Sequence, residues 1–353
     1  MATIEYAQPL PATATRAERY AAGKALRTKC LRADHGEWTP PATRPDPISL
    51  LEESNCTRVP HLIPIRYGRM SLSPFAFLRG SAGVMAHDLA QTPVTGIKVQ
   101  LCGDAHLSNF GFFATPERHL VFDVNDFDET LAGPWEWDLK RLSTSIVVAG
   151  RQKGLTPGES RQIVLNCIQE YHSWMQSMAS MQSLPIWYLH TSIEELVEMV
   201  DRKEQLHLQK EAKKASRSTN LKVFPKLTEV VNGQFRIKDH PPLIVHYEDL
   251  GDVKKTEEYE ATEAKEFFEA YVKTLRQDRQ TLLRKYHFVD IAQKVVGVGS
   301  VGTRAFVILL MAGGDGDDPL FLQIKEAKAS VLEPYAGTCS FQIMGSGSFR
   351  DNG

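Results

Sequence analysis

The stretch QLCGDAHLSNFGFF, residues 100–113, constrains this chain more than any other. A short apolar run, IKVQLC (97–102), leads at once into Gly103, Asp104, His106 and Asn109, and a second apolar run, FGFF, follows. A strand that ends on an acid, an imidazole and an amide has two readings. Either the polar groups close a turn by bonding their own backbone, or they form a loop that handles a phosphate. The flanking sequence bears on the choice. HLVFDV (119–124) makes another β-run after the turn TPER, so 110–124 reads as a hairpin. VNDFDET (124–130) then supplies Asp126 and Asp128. Across WEWDLKRLSTSIVVAGRQKG (135–154) the apolar period becomes helical, with Leu139, Leu142, Ile146 and Val147 on one face and Gly154 as the stop.

A length of 353 residues predicts two lobes rather than one core. The net charge of −2 argues against a nucleic-acid partner. No apolar run is long enough for a transmembrane helix, and the N-terminus lacks the basic-then-apolar order of a secretory signal. Five scattered cysteines indicate neither a disulfide framework nor a zinc knuckle. Together these features predict a cytoplasmic protein; its oligomeric state is not readable. Four parts are expected: a helical and extended segment over 1–57, a catalytic-loop domain with a helical insert over 58–290, a glycine-loop and lysine region over 291–335, and an irregular, shortened tail over 336–353. Helical patterns cover 15–33, 157–182, 191–217 and 261–286, and Lys210, Lys213, Lys214 and Arg217 read as a solvated helix end.

GVGSVG places Gly297, Gly299 and Gly302 between two β-like runs. Glycines there let backbone N–H groups approach phosphate oxygens. A dinucleotide turn needs a helix after the glycines, whereas TRAFVILLM is strand-like. The next strand, LFLQIKEA, carries Lys325. A rival phosphate-binding cation is Arg79 in FAFLRGSA, whose fork suits phosphate.

The run GDAHLSNFG…VFDVNDFDE…WDL resembles the aminoglycoside phosphotransferase and choline kinase branch of kinase-like enzymes. Asp138 follows Asp126 by twelve residues, as that resemblance requires. More closely, SPFAFLRGSA, GDAHLSNFG, DFDET…GPWEWDLKRL, VVGVGSVGTR and PLFLQIKEA…VLEPY resemble the bacterial DUF2252 family over nearly the whole chain. The kinase-like resemblance implies an α+β, two-lobed fold, here circularly permuted because the glycine loop comes late, with an incomplete small β lobe. It implies Asp104 as catalytic base and His106 as a brace for the loop. Asn109, Asp126 and Asp128 would bind Mg²⁺, with Asp123 as the rival to Asp126. Gly297, Gly299, Gly302 and either Lys325 or Arg79 would hold ATP. The expected function is ATP- and Mg²⁺-dependent transfer of a phosphoryl group to a small-molecule acceptor. Two alternatives stand beside it: nucleotide binding without turnover, and a metal-dependent hydrolase using Asp104, His106, Asp123 and Asp126.

Overall fold

The computed structural model describes residues 4–216, 220–246, 257–313 and 317–339. Arg217, the centre of the AGGDGDD stretch and everything from residue 340 onward lie outside the described residues. The protein is α+β, with many helices and small antiparallel sheets. Its chain divides into two compact units, one comprising 1–111, 122–190 and 328–344, the other 112–121, 191–327 and 345–353. These divisions differ from the expected boundaries. The stretch 191–290 groups with the glycine-loop strands, and residues from 328 return to the first unit.

The first unit opens with α1 (Arg16–Ala25), α2 (Pro47–Asn55), α3 (Ile63–Met70), α4 (Pro74–Gly80) and α5 (Ala82–Leu89). Proline at the first turn of α2, α3 and α4 sets their starts, since its missing N–H is unpaired there in any case. Strand β1 (Lys98–Leu101) follows, then the hairpin β2 (Phe110–Ala114) and β3 (Leu120–Val124), whose residues 112–121 group with the second unit, then β4 (Leu131–Pro134), which pairs antiparallel with β1. The hairpin turns where Thr115 N–H donates to His119 O at 2.8 Å, with Arg118 left-handed. Helix α6 (Glu136–Gln152) starts two residues before Asp138 and ends as expected at Gly154, whose φ is +82°. Helix α7 (Pro157–Ser180) opens on a Thr156/Glu159 capping box, and α8 (Ser183–Trp187) is a short continuation. The core gathers Ala86, Leu89, Leu101, Leu131 and Trp137 with Leu332 and Ala336.

In the second unit the expected helix over 191–217 is broken into α9 (Ile193–Glu198) and α10 (Arg202–Ser216), and α11 (Asn220–Leu227) follows. The region read as a helical insert also contains strands: β5 (Thr228–Val231), β6 (Gln234–Ile237) and β7 (Ile244–His246). β5 and β6 are joined at Asn232 and Gly233, both at positive φ, as a two-residue hairpin turn demands. Helices α12 (Glu257–Thr274) and α13 (Gln277–Leu283) replace the single helix expected over 261–286. Strands β8 (Tyr286–Lys294), β9 (Ala305–Ala312) and β10 (Asp318–Lys325) complete an antiparallel sheet of order β10-β9-β8-β7. After it, α14 (Glu333–Ala336) belongs to the first unit.

Strand β9 is an unbroken apolar run because both its faces are covered. Val307, Leu309 and Met311 pack with Phe224, Ile237 and Ile244. The alternate residues Ile308 and Leu310 pack with Phe268, Val272 and Leu283. A register shift between Phe288 and Asp290 puts an extra residue into β8. Such a bulge re-aims the side chains that follow it. Asp290 accepts the Ile237 N–H at 2.6 Å and lies 3.1 Å from Nε2 of His246. Nδ1 of His246 lies 2.7 Å from Asp239. His246 is only 1% exposed.

Burial alone would lower the pKa of this imidazole. The bonds to Asp290 and Asp239 outweigh burial and the nearby Arg236, and hold it above its ordinary value. A histidine whose folded pKa is raised contributes stability that is complete below its unfolded pKa of about 6.5 and lost as pH rises through the folded value. Raising the pH from about 6 to 8 should therefore lower the urea midpoint of the wild type. His246→Gln should flatten that dependence; an unchanged slope in the variant would contradict the assignment.

Candidate functional site

The loop after β1 is fastened by one stripe of α6. Asp138, in the first turn, accepts the N–H of Cys102 at 2.7 Å and of Gly103 at 3.0 Å. One turn on, Arg141 donates to the Asp104 carboxylate through Nε and Nη2. A further turn on, Ser145 Oγ accepts the Leu107 N–H at 3.1 Å. Positions 138, 141 and 145 are spaced i, i+3 and i+7, so they share one helical face. The loop residues they hold run in the same order, from Cys102 to Leu107. Gly103 has φ +86°, and a Cβ there would collide with the Glu129 backbone. Glycine is required at that position on both counts.

Arg141 is 1% exposed and also donates to Leu78 O at 2.9 Å. A guanidinium taken out of water needs such partners, because an unpaired buried charge is very costly. The carboxylate of Asp104 thus has Oδ1 bound to Arg141, while Oδ2 faces His106 Nε2 at 3.7 Å. Among the described residues, the buried Nδ1 of His106 has no hydrogen-bond partner. Burial lowers its pKa, as do Arg141 and Arg79, against the opposing pull of Asp104.

Asn109 is a clasp. It is 4% exposed. Its Nδ2 donates to Asp104 O at 3.1 Å and Asp126 O at 3.0 Å, and its Oδ1 accepts the Asp126 N–H at 2.8 Å. One side chain thereby ties the loop to the segment after the hairpin. Asp126 in turn accepts the Asp128 N–H at 3.2 Å, a local turn, and Asp128 is exposed. Asp123 is exposed on β3 and accepts the Val124 N–H at 2.8 Å.

Of the Mg²⁺ set expected from the sequence, Asn109 is engaged with the chain's own backbone. Asn109 Oδ1 accepts one backbone N–H. Among the described residues, no three His, Cys, Asp or Glu side chains converge as a metal site. The same observation weighs against a hydrolase centre of Asp104, His106, Asp123 and Asp126.

Two residues escaped the sequence reading. Arg141 falls on a stripe with Trp137 and Ser145 that is more buried than Leu139 and Leu142. Its signal was the polar spacing D-x-x-R-x-x-x-S at a helix start, which a search for apolar periodicity passes over. Glu129 is the second. Burial pushes its carboxyl up to about 7, against the stabilising Val331 N–H that donates to Oε2 at 2.7 Å.

The glycine loop lies in the second unit, between β8 and β9, so the strand–loop–strand arrangement holds. Gly297 and Gly302 have positive φ and Gly299 does not. Lys325 ends β10 directly opposite Ala305, the first residue after the loop. Glu326 ties down the same corner, donating its N–H to Arg304 O at 2.8 Å and pairing with the Arg304 guanidinium at 3.1 Å. Arg79 is on α4 in the first unit, and among the described residues its buried Nε has no hydrogen-bond partner.

An α+β chain with a helix-fastened acidic loop and a glycine-loop meander is a globular protein with two candidate ligand-handling elements. It belongs to the DUF2252 family, an uncharacterized protein conserved in bacteria, with a match over residues 58–347. No curated protein and no solved structure matches it. All five cysteines are free, and no described helix is long and apolar enough to cross a membrane.

Asp138→Asn keeps the shape but replaces one acceptor oxygen with a donor facing an N–H. Leaving a buried donor unsatisfied costs about 1–3 kcal/mol. The variant should lose about that much in urea unfolding, whereas Asp123→Asn, on the exposed strand, should be close to neutral.

Proposed function

We propose that the protein is a nucleotide-dependent phosphotransferase of kinase-like type, circularly permuted, acting on a small-molecule acceptor. The observation that carries the reading is the Asp104 carboxylate. Its backbone is fixed by Asp138 and Asn109, its Oδ1 is held by buried Arg141, and its Oδ2 is left to meet a hydroxyl. In such a transfer Oδ2 orients the acceptor hydroxyl and takes its proton. The acceptor oxygen forms a bond to phosphorus as the bridging oxygen of the nucleotide leaves with its electron pair. Phosphoryl transfer needs mainly positioning and electrostatic support rather than covalent chemistry from the protein.

The meander of β8, β9 and β10 supports the nucleotide part of the reading. Gly297, Gly299 and Gly302 give backbone N–H groups access to phosphate oxygens, and Lys325 stands opposite the end of that loop. No step is routed through a divalent ion. Nucleotide binding without turnover is the second reading, and one observation favours it. The ion pair with Arg141 takes one oxygen of Asp104 away from any acceptor.

Isothermal titration of ATP, with and without Mg²⁺, tests both. Wild type should bind, and Lys325→Ala should bind at least about tenfold more weakly, the loss expected for one charge-assisted contact. Asp104→Asn should bind ATP as wild type does while releasing no labelled γ-phosphate to any acceptor or to water. Absence of nucleotide binding by the wild type would end both readings. Binding without any transfer by the wild type would leave the second.

A further inference from the structure

We propose that the first unit carries a membrane-docking surface, in which the apolar run after α7 and the basic stretch that begins with α1 seat the protein on an anionic lipid bilayer. The apolar half is residues 184–189, LPIWYL. All six are exposed, with Leu184 at 66%, Trp187 at 79% and Tyr188 at 69%. Helix α8, which holds the first four of them, buries no residue. Trp174 and Met175, on the second half of α7, are exposed as well. Single exposed apolar side chains are ordinary, but a contiguous run of this size marks an interaction site.

Positive charge lies beside it. Residues 16–32 carry Arg16, Arg19, Lys24, Arg27, Lys29 and Arg32 against one acid, Glu18, in a chain whose net charge is −2. All six basic residues are exposed, and α1 buries no residue. This stretch is fixed to α7 at both ends. Arg16 Nη2 donates to the carbonyl of Ser180, the last residue of α7, at 3.0 Å. At the other end the His35 ring meets Trp135 edge-on at 6.0 Å, and Trp135 stacks on Tyr171 of α7, also at 6.0 Å. Tyr171 and Ser180 bracket Trp174 and Met175, so the basic stretch is pinned beside the half of α7 that bears them.

An anionic bilayer covers both halves at once. Tryptophan and tyrosine settle at headgroup level, with the ring in an apolar layer and the polar tip in water. Arginine and lysine are drawn to the anionic headgroups alongside. Other occupants fit less well. A second copy of this chain would bring one basic stretch against another, and like charges oppose that pairing. A nucleic acid would neutralise the arginines and leave Leu184 and Ile186 in water. Docking of this kind lies in the plane of the interface and is reversible. The surface stands whether or not the protein transfers a phosphoryl group.

Co-sedimentation with lipid vesicles tests it. Wild type should pellet with vesicles of mixed phosphatidylcholine and phosphatidylglycerol, not with phosphatidylcholine alone, and added salt should release it. Trp187→Ser should bind at least about tenfold more weakly, and so should the pair Lys24→Glu and Arg27→Glu. The pair Lys210→Glu and Lys213→Glu, which reverses two exposed charges on α10 in the second unit, should bind as wild type does. Every substituted side chain is exposed, so all variants should keep the wild-type melting temperature. Equal binding by wild type and Trp187→Ser would overturn the surface, as would an equal loss in the α10 pair. Wild type that ignores anionic vesicles would overturn it too. In that case a dimer that Trp187→Ser disperses would assign the apolar run to a second copy, and retention of duplex DNA would assign the basic stretch to nucleic acid.

Discussion

The polar stripe of α6 is the constraint on which the rest of the first unit depends. Asp138, Arg141 and Ser145 take hold of the loop at three successive points, from Cys102 to Leu107. The placement of Asp138 in the first helical turn adds to this, since a carboxylate is favoured near a helix N-terminus. Arg141 has the larger consequence. A buried guanidinium cannot be left unpaired, so the helix, the end of α4 and the loop must all be formed for any one of them to be stable. Asn109 repeats the device from the other side, binding the loop to the strand-end at Asp126. Rigid support of this kind is what a reacting carboxylate needs, because small displacements are costly there.

The second unit uses different means. Its order comes from β9, which is apolar on both faces and feeds two cores at once. The loop carrying Gly297, Gly299 and Gly302 is thereby anchored at one end by a deeply buried strand. At the other end of β8, the irregularity at Asp290 gives up ladder regularity for a bonded His246. Both cases exchange local regularity for a defined position of polar groups.

Much of this was legible in the residues. The loop, the hairpin after it, the helix to Gly154 and the strand–glycine loop–strand order all follow from runs of apolar residues and the turn chemistry between them. What escaped did so for identifiable reasons. Apolar periodicity marked Leu139, Leu142, Ile146 and Val147, yet the deepest stripe of that helix is Trp137, Arg141 and Ser145, because polar groups satisfying a loop bury as well as leucines do. Strands β5 and β6 were hidden inside a helical reading, although VVNGQF carries the Asn-Gly turn that announces a hairpin. Asn109 was read as a metal ligand from its spacing to Asp104. Spacing along a chain does not show that the same amide also bonds the backbone at Asp104 and Asp126.

The path of the chain has a consequence for its synthesis. Ser330 donates to Glu129 O and Val331 to the Glu129 carboxylate, contacts between residues about two hundred positions apart. Leu332 and Ala336 complete the core around Leu101, Leu131 and Trp137. A ribosome delivers residues from the N-terminus, so the first unit begun is the last one closed. Until residues 328–336 emerge, Leu101 and Leu131 lack part of their cover, while 191–327 can already collapse around β9. The nascent chain therefore holds an open apolar surface through the making of an entire second unit, a period in which a chaperone has something to bind.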